Sequence, residues 1–332
     1  MERVLLSHGA GGREMAELIR QVFLAAYGPP GFISDDSASL TLASRQVAFT
    51  TDAFVVDPLF FPGGDIGRLA VAGTVNDLLT AGARPVALSV SFIIEEGLEI
   101  RTLREIAASM RRTAEEGEVS LVTGDTKVVP KGAADKVFIT TAGLGLIISP
   151  GVSGAAVLPG DRIILTGSVG DHGMAVMLAR ERLLEGEAIA SDVAPLNEMV
   201  LRLLEAGCPI HAMRDPTRGG VAAALNEIAR QSQVAIEIEE ARVPVKAPVA
   251  AACEALGLEA LQVANEGKML IFVPAPEADR VLSLVQHSPY GAAAQIIGEV
   301  KPNPPGRVLA RTSLGTSRLL PPPTGELLPR IC

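Results

Sequence analysis

Apolar and polar positions follow two periods along the chain, and the switches between them mark the elements. Over 12–27, Met15, Leu18, Ile19, Val22 and Phe23 recur at helical spacing, and Gly28-Pro29-Pro30 supplies a stop. Residues 47–51 and 86–94 read as strands. Between them 66–81 predicts a helix that is apolar on nearly every side, ended by Gly82 and Pro85. An amphipathic helix is expected over 101–116, with strands at 119–122 and 136–148. The most apolar run, 137–148, is too short and too interrupted by Thr and Gly to span a bilayer, so it reads as a buried strand.

Ser149-Pro150-Gly151 is the best domain boundary. Beyond it the pattern gives a strand at 162–165, helices near 172–184, 195–206 and 218–231, and a strand at 234–238. A helix near 248–256, a strand at 268–273, a helix at 277–287 and a last strand near 294–300 follow. From 301 onward Pro, Gly and Arg dominate, and Pro321-Pro322-Pro323 with Pro329 leave few backbone donors for regular structure. The expected organisation is an α/β domain over 1–150, an α+β domain over 151–316 and an extended, mobile arm over 317–332.

The chain has 332 residues, 48% hydrophobic and 20% charged, which fits about two domains with real cores. With 29 Lys+Arg against 38 Asp+Glu, a net charge of -9 and 3% aromatic residues, it is poorly suited to nucleic acid. A polyphosphate ligand would need a metal cation to offset that charge. The N-terminal MERVLLSHGAGG has no apolar core of signal-peptide length, so a cytoplasmic protein with no membrane segment is expected. Cys208, Cys253 and Cys332 are too widely spaced for a disulfide framework or a zinc site. Cys332 is the last residue, which also excludes a prenylation box.

Neither a Walker A loop nor a G-x-G-x-x-G fingerprint is present. The chain instead carries aspartates beside small or polar residues: Asp35-Asp36-Ser37, Thr51-Asp52, Asn76-Asp77, Gly124-Asp125-Thr126-Lys127 and Arg214-Asp215-Pro216. Hard oxygen ligands from separate loops are what magnesium uses when it bridges phosphates. Asn76-Asp77 is the most informative pair, because Gly73, Asn76, Asp77 and Thr80 share one stripe of an otherwise apolar helix. A carboxylate there is costly unless a cation or donors meet it. The competing reading is an exposed stripe. Likewise GDTK could be a charged turn after a strand, Asp36 and Asp215 turn or cap residues, and Glu266 in Asn265-Glu266-Gly267-Lys268 part of a hairpin turn.

Taken jointly, HGAGG, TTDAFVVDPLFFPGGDIG, GTVNDLLTAGA, TGDTKVV, SVGDHG, RDPTRGGV, ANEGK and the terminal PRIC resemble the hydrogenase maturation protein HypE family, in order and over essentially the whole chain. That family shares its fold with aminoimidazole ribonucleotide synthetase and selenophosphate synthetase. The resemblance implies a PurM-like (aminoimidazole ribonucleotide synthetase-like) fold of an α/β and an α+β domain, a homodimer paired through N-terminal strands, and ATP with Mg2+ between the domains. It implies ATP-dependent dehydration of a carbamoyl group on Cys332 to a thiocyanate, which supplies cyanide to NiFe-hydrogenase. The carbamoyltransferase HypF would be the donor and a HypC-HypD complex the acceptor. By the same resemblance Asp36, Asp77 and Asp215 hold metal, with Asp52 a further candidate. Asp52, Asn76, Asp77, Gly124, Asp125, Thr126 and Lys127 bind ATP, and Pro329, Arg330, Ile331 and Cys332 form the tail motif. Lys127 and Glu266 sit near the reacting group. Glu266 is the better base, since a carboxylate is ordinarily unprotonated at neutral pH and Lys127 starts near pKa ~10.4.

A selenophosphate synthetase is disfavoured because no cysteine precedes position 208. A non-enzymatic scaffold docking through the Pro-rich tail would leave the Asp motifs idle.

Overall fold

The computed structural model describes residues 3–9, 13–28, 40–43, 46–181, 189–324, 328 and 330–332. Ala10, Gly11 and Gly12 of the HGAGG string, the metal-ligand candidate Asp36, and Pro329 of the tail motif lie outside the described residues. The first predicted helix comprises α1 (Arg13–Leu18), a π-helical stretch Ile19–Leu24 and α2 (Ala25–Tyr27), and it buries Leu18, Val22 and Phe23. Next come β1 (Val47–Phe54), the small hairpin β2 (Phe60–Phe61) and β3 (Gly64–Asp65), and α3 (Ile66–Thr80). β4 (Ala83–Glu95), α4 (Ile100–Glu116), β5 (Ser120–Val129) and β6 (Val137–Ile147) complete this half. The sheet order is β1-β6-β4-β5, with β4 and β5 parallel and the other pairs antiparallel.

Helix α3 opens on Asp65, whose carboxylate accepts from the amides of Gly67 at 2.8 Å and Arg68 at 3.1 Å. Its apolar residues point all round because the sheet covers one side while α4 and the second half of the chain cover the others. The sheet positions on this inner side include Thr50, Asp52 and Phe54 of β1. The opposite, outward side shows Val47, Phe49 and Ile93 to solvent, and Phe49 is 71% exposed. Strand β5 runs through Gly124-Asp125-Thr126-Lys127, so these residues are not a turn after a strand. Thr126 turns inward beside Phe92, whereas Asp125 and Lys127 stand opposite Ser91 and Ile93 on the outward side.

The second half contains β7 (Asp161–Leu165), α5 (Asp171–Glu181), α6 (Asn197–Glu205), β8 (Ala212–Arg214), α7 (Gly220–Gln231) and β9 (Ala235–Glu239). α8 (Ala247–Leu256), β10 (Leu270–Pro274), α9 (Ala278–Gln286), β11 (Gln295–Lys301), β12 (Arg307–Arg311) and β13 (Ser317–Leu319) follow. The strands form a sheet in the order β13-β12-β9-β11-β7-β10-β8, with only β9 and β12 parallel among its pairs. Val221, Leu225 and Ile228 of α7 join Ile163, Leu165, Ile236 and Phe272 in one core. Met199, Val200 and Leu203 of α6 and Val281 of α9 join Ile271 and Val273 in a core shared with α3 and the first sheet. Among the described residues no helix is long and apolar enough to cross a membrane.

Strands β8, β12 and β13 were not signalled by the hydrophobic pattern, and β13 corrects the expected start of the arm. Ser317–Leu319 pair with Leu309–Arg311, and Leu320 is fully buried with its amide on Val308 O at 2.9 Å. Gly315, at φ +81°, closes the turn, and Arg318 is held by Glu240 and Glu259. The prolines come after this strand rather than within it, so the separable segment starts at Pro321. Leu320→Ala is therefore expected to cost about 3 kcal/mol as a cavity-forming core truncation. Urea denaturation checks this, and a loss below about 0.5 kcal/mol, typical of surface sites, would mean that Leu320 belongs to a loose arm.

Candidate active site

Four carboxyl groups from separate elements converge on the inner side of β1. Asp52 of β1 accepts from Thr74 Oγ1 of α3 at 2.9 Å, and Asp77 of α3 accepts from Thr50 Oγ1 of β1 at 2.8 Å. Asp215 follows β8, and Glu266 precedes β10. A Cβ at Gly73 would lie 3.1 Å from the Phe54 ring and 4.0 Å from Glu266 Oε2, so a glycine there lets helix, strand and carboxylate approach. Two buried asparagines stitch these pieces together. Asn265 Oδ1 accepts from Gly170 N at 2.8 Å, while its amide donates to Pro216 O and Val263 O. Asn76 donates to Ala194 O at 3.0 Å and Glu266 O at 3.3 Å and accepts from Leu196 N at 2.9 Å. Asn76, expected to bind ATP, thus has both ends of its amide committed to backbone and acts as a brace.

The electrostatics are those of crowded anions. Burial, then Asp77 and Asp52, push Asp215 up to about 7. Burial and Asp77 push Asp52 up to about 6, and burial raises Asp77 despite Thr50 and Arg214. Glu266 lies well above the usual carboxylate range, through burial first and then Asp215, Asp192, Asp52 and Asp77. Its Oε1 is buried without a hydrogen-bond partner. Behind it Asp192 behaves oppositely: burial pushes it up, but the Lys268 ammonium at 3.2 Å, His172 and the Glu266 amide outweigh that and hold it low. A Cβ at Gly267 would fall 1.8 Å from Asp192 O, so only glycine lets this loop close.

Among the described residues no three His, Cys, Asp or Glu side chains surround one point closely enough to hold a metal ion by themselves. The donor set still fits magnesium, which takes one or two carboxylates and completes its shell with water and substrate phosphate. Raised carboxyls and an orphaned buried oxygen are the signature of missing positive charge.

The end of the chain is docked at this cluster. The tail carbonyls of Arg330 and Cys332 accept from Asp57 N at 3.3 Å and Val55 N at 3.0 Å, so the tail lies along the segment that follows β1. Ile331 is 4% exposed. Arg330 donates to Val55 O at 3.0 Å and pairs with Asp135. Burial pushes the Cys332 thiol up to about 12, with Glu266 and Asp52 adding to it and Arg218 opposing. Beside the tail, Arg218, Gly219, Gln262 and Ala264 help line a cavity of about 370 Å³.

The structure thus brings together Asp52, Asp77, Asp215, Glu266 and Cys332. Gly124, Asp125, Thr126 and Lys127 do not join them within one chain. Lys127 is paired with Asp125 at 3.1 Å on the outward side of the sheet, opposite to the side that bears Asp52. His172, Arg180 and Arg218 were not singled out from sequence. His172 and Arg218 had a signal, lying within SVGDHG and RDPTRGGV, whereas nothing marked Arg180 among the surface arginines.

Comparison with known proteins identifies the family. Residues 34–147 match the family described as AIR synthase related protein, N-terminal domain, and 159–310 match its C-terminal domain. The carbamoyl dehydratase HypE of Rhodobacter capsulatus is 47% identical over 338 residues, covering 100% of this chain and 98% of its own. A crystal structure of hydrogenase maturation protein HypE in complex with ATP superposes with a TM-score of 0.96 at 46% identity, covering 99% of each chain. A HypE-HypF complex gives 0.81 at 45% identity, covering 92% of this chain and 99% of that one. With its two-domain PurM-like fold, its carboxylate cluster and its docked terminal cysteine, the chain belongs to the HypE family of hydrogenase maturation proteins.

Proposed function

We propose that the chain is an ATP-dependent carbamoyl dehydratase that converts an S-carbamoyl group on Cys332 to a thiocyanate, the source of cyanide for a NiFe-hydrogenase centre in the cytoplasm. The observation that carries this reading is the docking of the chain's own terminal cysteine at a cluster of buried and half-buried carboxyls, with Glu266 the strongest charge acting on its thiol. The overall change is R–S–C(=O)–NH2 plus ATP to R–S–C≡N plus ADP and phosphate. Bound Mg-ATP supplies the phosphoryl group that makes the carbamoyl oxygen a leaving group.

The chain's part is positioning and charge management. Asp77 and Asp215, with Asp52 alongside and Asp36, which lies outside the described residues, would hold Mg2+ against the nucleotide phosphates. Glu266 would accept an N–H proton as the nitrile forms; burial first, then the neighbouring aspartates, raise it well above the usual carboxylate range, so positive charge brought to the aspartates favours its ionised form. That shift corrects the expectation that it is ionised without tuning. The thiol, held near 12, is a poor nucleophile where it lies. Carbamoylation by HypF accordingly takes place with the tail outside, and the product is passed outside to a HypC-HypD acceptor. The HypE-HypF complex among the relatives supports the first of these partnerships.

A homodimer accounts for Lys127. The outward side of the first sheet, where Phe49 is 71% exposed and Val47 and Ile93 also face solvent, suits packing against the same face of a second copy. In that arrangement Lys127, with Asp125 and Gly124, serves the partner's nucleotide rather than its own.

Three outcomes follow. Cys332→Ala abolishes thiocyanate formation but retains ATP binding, read by the mass of the C-terminal peptide, which loses one water on dehydration. Product from the alanine variant would sink the assignment. Asp77→Asn and Asp215→Asn each weaken Mg-ATP binding about tenfold or more in calorimetric titration, since each removes a charge from the cluster, and parent-like binding by both would remove them from the metal site. Mixing Lys127→Ala chains with Cys332→Ala chains restores dehydration on the Lys127→Ala chain's cysteine if Lys127 works across the dimer. Activity that stays absent in verified mixed dimers would assign Lys127 to its own chain or to no role.

A further inference from the structure

The tail's last three residues are held by their carbonyls, and two of the groups that hold them have no other part in the chemistry. The Arg180 guanidinium of α5 bridges two segments, donating from Nε to Asp57 O at 2.8 Å and from a terminal nitrogen to Arg330 O at 2.6 Å. His172, at the start of the same helix, is fully buried and reaches Ile331 O with Nε2 at 2.9 Å. A carbonyl only accepts, so Nε2 carries the proton and Nδ1 of the neutral ring accepts from Ser191 Oγ at 2.8 Å. Ser191 Oγ in turn accepts from Val193 N at 3.1 Å, and Phe61 meets the ring edge-on at 5.4 Å. The tautomer is thus fixed by a chain of donors ending on rigid backbone. His172 and Arg180 lie eight residues apart, about 12 Å along one helix axis at 1.5 Å per residue.

We propose that His172 and Arg180 form a latch on α5 that holds the tail in its inward position, as positioning residues for the dehydration. This rests on the proposed shuttling of Cys332, and it adds a property. Because the latch reads backbone carbonyls, it is blind to what the sulfur carries, so it stabilises the free thiol, the carbamoyl form and the thiocyanate alike. Discrimination among these forms falls to the groups around the sulfur itself, Glu266 and Arg218. The latch sets the resting balance, and the cargo adjusts it.

If inward and outward tails interconvert faster than either reaction, dehydration scales with the inward fraction and carbamoyl transfer with the outward fraction. A change in the latch, which acts alike on both forms, then moves the two rates in opposite directions, and their ratio follows the shift in the inward-to-outward balance. Removing a hydrogen bond from a buried carbonyl shifts such a constant by about tenfold. Two readouts test the latch on the full-length dimer. The first is release of Cys332 and Ile331 by carboxypeptidase Y, followed by intact mass, which needs no carbamoyl chemistry. The second is the ratio of single-turnover dehydration to carbamoyl transfer.

Arg180→Ala and His172→Leu are expected to speed release several-fold and to lower the rate ratio about tenfold, with transfer no slower than in the parent. His172→Gln, which can place an amide donor near the Nε2 position, restores most of both. A variant that merely loosens the fold would slow transfer as well as dehydration. Arg180 is only half-buried, so its alanine variant keeps the test available if His172→Leu does not fold. Unchanged release and an unchanged ratio in Arg180→Ala would overturn the latch. Faster release with no thiocyanate even from the parent would refute the proposed reaction while leaving the latch standing.

Discussion

The burial of four closely placed carboxyls, Asp52, Asp77, Asp215 and Glu266, away from water and beside one another is the constraint on which the arrangement of this chain turns. Each is buried or half-buried, and each is raised by burial and, in most cases, by the others. Groups whose folded pKa lies above the unfolded value favour folding at low pH and lose that contribution as pH climbs through the raised value, here toward about 7 for Asp215. The bare cluster is therefore a local cost near neutrality, offset by the cores on either side of α3. Positive charge brought with a nucleotide relieves the same cost, so binding and local stability are coupled at one place.

The sulfur is tied to that constraint. Docked beside Glu266 and Asp52, the Cys332 thiol is pushed to about 12, which makes it inert where the dehydration chemistry would be assembled. A reactive thiolate next to undischarged carboxylates would combine two penalties, and the docked state avoids this by keeping the proton on sulfur. In the proposed reaction, acquisition of the carbamoyl group and its dehydration would thereby be separated in space by electrostatics as well as by access.

Sequence reading recovered the longer helices and strands in order, and the family, because these depend on period and on contiguous strings. It placed Asp77 on the critical stripe of α3, but the same stripe holds Asn76, and spacing cannot tell a ligand from a brace: that depends on whether a neighbouring loop offers carbonyls, as Ala194 and Glu266 do. That Lys127 stands apart from the carboxyl cluster of its own chain was hidden for a related reason. Its side of the sheet is set by its register with Ile93, a long-range property that no local pattern carries. Strands β12 and β13 were hidden by Pro and Gly that proved to flank them. Arg180 left no trace because its partners are backbone carbonyls, which every residue possesses.

The register of the tail sets the depth at which the Cys332 sulfur lies. Arg330 and Cys332 meet Asp57 N and Val55 N, two residues apart on both segments, so the pairing is in step and the alternate residue, Ile331, is left to fill an apolar site and meet His172. One residue inserted before the cysteine would leave this pairing intact but move the sulfur one position past Val55. One residue deleted would put it where Ile331 is buried. Either change takes the sulfur off the position it holds beside Glu266. The depth of the sulfur is thus measured from the docked backbone, and the PRIC end acts as a ruler: arginine anchors it, isoleucine seats it, and the last residue presents the reacting atom.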